Sequence, residues 1–217
     1  FNLFESQTPK IERRFDDLGG GMSLLITCLD EEPIGVQSGQ LLWPAAPALS
    51  RHLITNWKTL RGGAEAAAVL EVGAGCGMVG IVAAKLGCRR AVMTDRDLGA
   101  LELIQQNAVA AGVEEQCAVL PLSWHPLAKA KMVAHSAREE ANGEDCSDTN
   151  ADAGLAEHAA VLGLSESGGG FELVVAADVI YAVEVVSMLF GSVDALLKPA
   201  TPVGEPGPAA QFLMCQS

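Results

Sequence analysis

The chain has 217 residues, 49% of them hydrophobic, at a mean hydropathy of +0.26, enough to bury one sizeable core and so to form one domain. Its 27 acidic residues against 14 basic give a net charge of −13, which excludes broad binding to a nucleic-acid phosphate backbone and favours a protein or small-molecule partner, a basic one included. The apolar runs are broken by Glu, Asp or Gly well below the ~20 residues a bilayer span requires, so no membrane association is expected, and a monomer is.

In chain order, residues 10–15 and 22–29 read as two strands joined by Asp16-Asp17-Leu18-Gly19-Gly20-Gly21, whose glycines tolerate the positive φ of a turn. This predicts an N-terminal hairpin extension over 1–38, ahead of a main domain over 39–217. Leu42-Trp43-Pro44 opens a helix, with Pro44 in its first turn and Ala45, Leu49, Leu53 and Trp57 at near-helical spacing. Taken alone, Trp43 is a core or staple aromatic just before that helix. Residues 67–72 then read as a strand, 77–86 as a helix closed by Gly87, 91–94 as a strand and 98–111 as a helix closed by Gly112. A third strand of this series covers 117–122, a strongly apolar fourth 171–177, a helix 183–197 stopped by Pro199, and a fifth strand 211–215. Strand and helix alternating in this order predict an α/β fold with a doubly wound, mostly parallel sheet.

Residues 128–170 interrupt the alternation. They are rich in Ala, Gly and Ser and carry eight acids against three bases. That composition predicts a flexible acidic insertion, with at most a transient helix near 151–162. A start at Phe1 rather than Met is read as an incomplete gene model, with no secretory signal at its head. A last strand ending near Ser217 leaves an apolar sheet edge that a complete fold covers, so C-terminal strands are expected to be missing.

The six cysteines, Cys28, Cys76, Cys88, Cys117, Cys146 and Cys215, include no C-x-x-C pair, and the four histidines form no metal-binding spacing. Reduced, mostly buried thiols are expected, with no metal and a cytoplasmic or nuclear setting.

The richest stretch is 69–80, where a β-branched strand empties into Gly73, Gly75, Gly77 and Gly80 and then an apolar helix. Such a junction binds cofactors in open α/β sheets, because glycine lets the backbone approach a ligand and the helix start offers N–H groups to anions. Two acids frame it: Glu71 before Gly73, and Asp95 at the end of the next strand. An acid at the second position suits the hydroxyls of a ribose. Gly75-Cys76-Gly77-Met78-Val79-Gly80 satisfies the weak dinucleotide fingerprint, so a nicotinamide cofactor stays open. The alternative is S-adenosylmethionine, whose sulfonium and ammonium suit the strand-end carboxylate of Glu71.

Leu42-Trp43-Pro44-Ala45-Ala46, the run 69–84, Thr94-Asp95, Leu122-Ser123-Trp124 and Ala177-Asp178-Val179-Ile180-Tyr181 together resemble the seven-β-strand protein-lysine methyltransferases, a eukaryotic methyltransferase-like group acting on non-histone proteins. The match spans about 39–215 apart from the insertion. It implies a Rossmann-like class I methyltransferase fold and S-adenosylmethionine held by Trp43, Gly73, Ala74, Gly75, Asp95, Trp124 and Ala177, to which the charge argument above adds Glu71. It also implies methyl transfer to a lysine ε-amine, with Asp178 orienting the amine and Tyr181 walling its channel. Taken without the resemblance, those two are a helix cap and a core tyrosine, and Trp124 is as much a packing residue as a ligand contact. The family more often has Thr or Ser where this chain has Cys76, and it closes its sheet with two further strands that are not seen here. A catalytically silent binding module therefore stands as an alternative, with a nicotinamide-dependent oxidoreductase behind it.

Overall fold

The computed structural model describes residues 9–30, 38–60, 67–124, 149–165, 169–199 and 209–217. The expected hairpin is present: β1 (Lys10–Phe15) pairs antiparallel with β2 (Leu24–Leu29), with Ile11 opposite Cys28. β2 alternates over most of its length, with Leu24, Ile26 and Cys28 buried, until Leu29 is buried too, as a strand with one face on the core does. After a 3-10 turn (Ser38–Gln40) comes α1 (Ala45–Leu60), which buries the predicted Ala45, Leu49, Leu53 and Trp57 on one face.

The main sheet has five parallel strands: β3 (Ala68–Val72), β4 (Arg90–Asp95), β5 (Cys117–Pro121), β6 (Leu173–Ala177) and β7 (Gln211–Cys215), in the order β5-β4-β3-β6-β7. β3 is buried at every residue, which is why it reads as a continuous apolar run and not an alternating one. Residues 69, 91, 93, 173 and 175 face one layer with α1, α2 (Met78–Lys85) and α3 (Leu98–Ala111). Residues 68, 70, 72, 92, 174 and 176 face the other, with α4 (Thr149–Gly163) and α5 (Glu184–Leu196). The hairpin's inner residues Leu24, Ile26 and Cys28 belong to the same buried cluster as Leu49, Leu53 and Met78.

One expectation needs correction. The segment taken as a flexible insertion contains α4, and its helix is docked rather than transient: Val161 and His158 are fully buried and Glu157 Oε2 accepts a 2.7 Å bond from Ser123 N. α4 supplies the crossover between parallel strands β5 and β6 that such a sheet demands. The rest of that expectation, on 128–148 and 166–168, lies outside the described residues, as do His125, His135 and Cys146.

The chain runs outward from β3 through β4 to β5, then restarts on the other side of β3 with β6 and β7. The crevice where strand order reverses therefore opens between the carboxyl ends of β3 and β6, the place where such sheets bind ligands.

Candidate active site

The loop leaving β3 lies at that crevice. Gly73, Gly75 and Gly77 all have positive φ, at 64°, 55° and 78°, a backbone that side chains other than glycine's rarely adopt. The space is spent as well. A Cβ on Gly73 would lie 2.8 Å from Val179 Cγ1 and 3.0 Å from Trp124 Cζ2, and one on Gly75 would lie 2.9 Å from the Gly39 carbonyl oxygen. The loop is stitched to β4 by Ala74 N, which donates to Thr94 O at 2.9 Å.

The two acids sit beneath it. Asp95 is 7% exposed, and its carboxylate accepts from Gly75 N at 2.9 Å and from Asp97 N at 3.0 Å. Each oxygen keeps a lone pair for a further donor. Burial raises its pKa against those bonds. Glu71, 2% exposed, accepts a 2.7 Å bond from Gly80 N in α2. Burial pushes it up to about 8, with the N–H of Gly80 opposing and the nearby charge of Asp95 adding to the rise. Burial is the larger cause and the second carboxyl adds to it, so the site favours the protonated form of Glu71.

A narrow groove lies over the loop, lined by Trp43, Glu71, Gly73, Ala74, Gly75 and Ala177. Six of the eight predicted cofactor contacts line it, from β3, β6 and the start of α1; Asp95 and Trp124 do not. Trp124 lies on the far side of Gly73, its ring filling the space a side chain there would take. Trp43 is 39% exposed and anchored by its indole N–H, which donates to Ser38 O at 3.0 Å.

Sequence reasoning missed part of this wall. Leu41, Leu42, Ala46, Cys76 and Met78 also line the groove, and the segment before α1 is tied down by the Cys76 thiol, whose Sγ lies 3.4 Å from Gln40 O and 3.3 Å from Leu41 O. Asn107 of α3 was missed too. Its carboxamide accepts from Thr27 N at 2.8 Å and donates to Thr27 O and to Cys76 O, each at 2.9 Å, so it mimics a neighbouring strand for β2 while holding the glycine loop. The only sequence signal was a polar residue on the buried face of an otherwise apolar helix.

Asp178 follows β6 with φ +52°, the one non-glycine residue with positive φ among the described residues. Its Oδ2 accepts from Ala45 N at 2.8 Å, and its Oδ1 accepts from Ser217 N at 2.7 Å and Ser217 Oγ at 2.8 Å. It thus caps α1, an element 133 residues earlier. Partial burial works to raise its pKa, but the bonds from Ser217 and Ala45 outweigh that and hold it below the ordinary 3.8. Tyr181 is 65% exposed and does not line the groove. No group of three or more metal-binding side chains occurs among the described residues.

Residues 27–139 match the sequence model of a family described as lysine methyltransferase, just over half of the chain. The chain belongs to the lysine methyltransferase family. Within known proteins it is 37% identical over 98 residues to mouse (Mus musculus) protein N-lysine methyltransferase METTL21A, an alignment covering 44% of this chain and 41% of that protein. It is 29% identical over 117 residues to mouse histone-arginine methyltransferase METTL23, covering 54% and 44%. The chain thus spans less than half the length of these two relatives. Among solved structures it is similar to a ribosomal protein L11 methylase from Lactobacillus delbrueckii subsp. bulgaricus, at TM-score 0.41 and 18% identity over 79% of this chain and 70% of that one. The family match covers the glycine loop, both buried acids and Trp124, and so includes most of the groove described above.

Proposed function

We propose that this member of the lysine methyltransferase family is an S-adenosylmethionine-dependent enzyme that methylates a lysine ε-amine of a non-histone protein. The observation that carries this reading is the glycine loop at the reversal of strand order, set over two buried carboxyls: Gly73 and Gly75 take a positive-φ backbone with no space for a side chain, and Asp95 and Glu71 lie beneath it. The residues present fit that cofactor. Asp95 keeps acceptor capacity for ribose hydroxyls, Trp43 in the groove and Trp124 behind Gly73 offer flat apolar surface for an adenine, and Ala177, next to Asp178 in sequence, is a small residue in the groove wall.

When bound, S-adenosylmethionine supplies a methyl group on a sulfonium, activated for in-line attack by a neutral amine. The protein's part is then positioning and the exclusion of water. Glu71 holds a proton in reserve. A cation entering the groove favours its ionised form, so a positive ligand would add negative charge at Glu71 to that of Asp95. Asp178 keeps a lone pair on Oδ2 after its three protein bonds, an acceptor for the incoming lysine ammonium. Tyr181, exposed beside it in sequence, walls the channel and offers its hydroxyl. The acidic surface, with net charge −13, draws a basic partner. One relative's name specifies arginine and the other's lysine; the family match and the higher identity favour lysine.

Calorimetric titration of the chain with S-adenosylhomocysteine and with NAD tests the cofactor, and binding of NAD alone overturns the assignment. Radiolabelled methyl transfer into a protein extract, followed by mass-spectrometric mapping of the modified residue, tests the acceptor. Label on arginine, or none at all from a chain that binds the cofactor, refutes lysine transfer in favour of another acceptor or a silent binding module.

A further inference from the structure

One wall of the groove comes from the strap of residues 38–43 ahead of α1, of which Leu41, Leu42 and Trp43 line it. The strap lies against the glycine loop, the Gly39 carbonyl oxygen 2.9 Å from where a Gly75 Cβ would stand. Its own hydrogen bonds are local: Leu41 N donates to Ser38 O at 3.2 Å and the Trp43 indole N–H to the same oxygen at 3.0 Å. These shape the strap without fastening it. The Cys76 thiol ties it to the glycine loop, but a thiol is a weak donor. A stronger tie lies on the α3 side, where the Gln40 carboxamide Nε2 donates to the Asp97 carboxylate Oδ2 at 3.2 Å, across 57 residues of chain. Packing there is close. A Cβ on Gly39 would meet Asp97 Oδ2 at 3.4 Å, and one on Gly99 would strike the Gln40 carboxamide, 2.7 Å from its Cδ.

We propose that Asp97 is a positioning residue for cofactor binding, acting through Gln40 to hold the strap 38–43 against the glycine loop. The link to the cofactor rests on the reading of the groove given above. Neither side chain lines the groove, so the pair acts on the wall and not on the ligand. Asp97 is placed to do this because it is fixed at both ends of its own residue. Its backbone N–H donates to Asp95 Oδ1 at 3.0 Å, and its Oδ1 caps α3 by accepting from Gly99 N at 2.9 Å, which leaves Oδ2 for Gln40. One residue therefore joins the carboxylate of Asp95, the start of α3 and the groove wall.

The effect on binding follows from preorganisation. A wall already held in place adds no ordering cost when the ligand arrives, whereas a loosened strap must be ordered by the ligand itself, and affinity falls by that amount. The two roles of Asp97 can be separated by chemistry. Asp97→Ser keeps a hydroxyl oxygen that caps a helix N-terminus but is too short to reach Gln40, and Gln40→Ala removes the same bond without touching α3. Asp97→Asn keeps both functions, because the Gln40 amide can turn over and accept from the new amide group.

The test is calorimetric titration of the chain and its variants with S-adenosylhomocysteine. Gln40→Ala and Asp97→Ser are each expected to weaken binding about tenfold, the size of one hydrogen bond to a charged group, and the double variant to bind no more weakly than either, since both remove the same bond. Asp97→Asn retains wild-type affinity. Gln40→Glu sets two carboxylates against each other and loses at least as much as Gln40→Ala, and adding Asp97→Asn restores binding through the reversed bond. A residue that only stabilises α3 gives no such recovery. Wild-type affinity in Gln40→Ala or Asp97→Ser, additive losses in the double variant, or no recovery in the reversed pair overturns the proposal. A wild-type chain that binds no S-adenosylhomocysteine refutes the cofactor reading instead. Amide hydrogen exchange over residues 38–46 then decides the latch: faster exchange in Gln40→Ala supports it, and unchanged exchange refutes it.

Discussion

Asn107 carries more of this fold than any residue of its size, and replacing it is the sharpest probe of how the hairpin and the glycine loop depend on each other. At 1% exposure it makes three hydrogen bonds, two to Thr27 and one to Cys76. Asn107→Ala removes all three partners at once and leaves one N–H and two C=O groups buried. A net hydrogen bond contributes roughly 1 kcal/mol, and an unsatisfied buried group costs more than the lost bond, so the loss comes to about 3–5 kcal/mol. That is a large share of the ~5–15 kcal/mol that stabilises a typical domain. At about 2–4 °C per kcal/mol for a chain of this size, thermal unfolding by circular dichroism falls by about 10 °C. Because the lost Cys76 bond anchors the glycine loop, affinity for S-adenosylhomocysteine falls as well, measured at a temperature where the variant is still folded. Asn107→Asp keeps the acceptor for Thr27 N but loses both donated bonds, and it fares no better. A change below about 1 kcal/mol with intact cofactor affinity would refute the claim that this carboxamide joins the two elements.

Substitutions at three other positions bear on the site. Glu71→Gln keeps an acceptor for Gly80 N and removes a group whose pKa is raised from 4.5 to about 8. Because the folded state holds that proton more tightly, its contribution is complete below pH 4.5 and is lost as pH rises towards 8. Denaturant titrations should show that the variant lacks a slope of about 1.4 kcal/mol per pH unit in that window; parallel profiles refute the assignment. Gly73→Ala forces a Cβ at φ +64° to within 2.8 Å of Val179 and 3.0 Å of Trp124, costing about 2–4 kcal/mol in backbone strain and overpacking, and calorimetry should find cofactor binding lost; wild-type affinity contradicts the cradle. Asp178→Ala removes the α1 cap at about 1 kcal/mol and adds strain at φ +52°, whereas Asp178→Asn, which tolerates that backbone, loses less. With its folded pKa held down, Asp178 stabilises above pH 3.8 and ceases to do so as pH falls below it, so acid unfolding of the Asn variant should lack that component.

What could be read from the sequence was what short-range pattern encodes. The strand ends, Gly112 after α3 and the glycine loop are local: each is a periodicity interrupted by a residue with a special backbone, and the structure places these elements within a residue or two of expectation. Gly73 and Asp95 were legible because the turn and the strand end lie in one βαβ unit. The contacts of Cys76, Asn107 and Asp178 were not, since their partners lie 31 to 133 residues away and a side chain's choice of distant partner leaves no periodic trace. α4 was misjudged for a different reason. Its Ala- and acid-rich sequence hides few anchoring residues, Val161 and His158 among them, and docking between β5 and α5 stabilises a helix whose own propensity and amphipathicity argue only weakly for it.

Asp178 shows how this affects the reading of mutants. Its carboxylate already joins the end of β6 to the start of α1, which carries Ala46 of the groove wall, and to Ser217 beyond β7. Any substitution there moves the cofactor wall as well as the acceptor side, so lost activity alone does not assign it to the lysine. Tyr181 has no such entanglement. At 65% exposure its hydroxyl can be removed without disturbing packing, and a fall in kcat for Tyr181→Phe at unchanged cofactor affinity and melting temperature reports on the amine directly. The acceptor half of the proposed mechanism therefore stands or falls on the tyrosine, while the aspartate measures how firmly α1, and with it the groove, is held to the sheet.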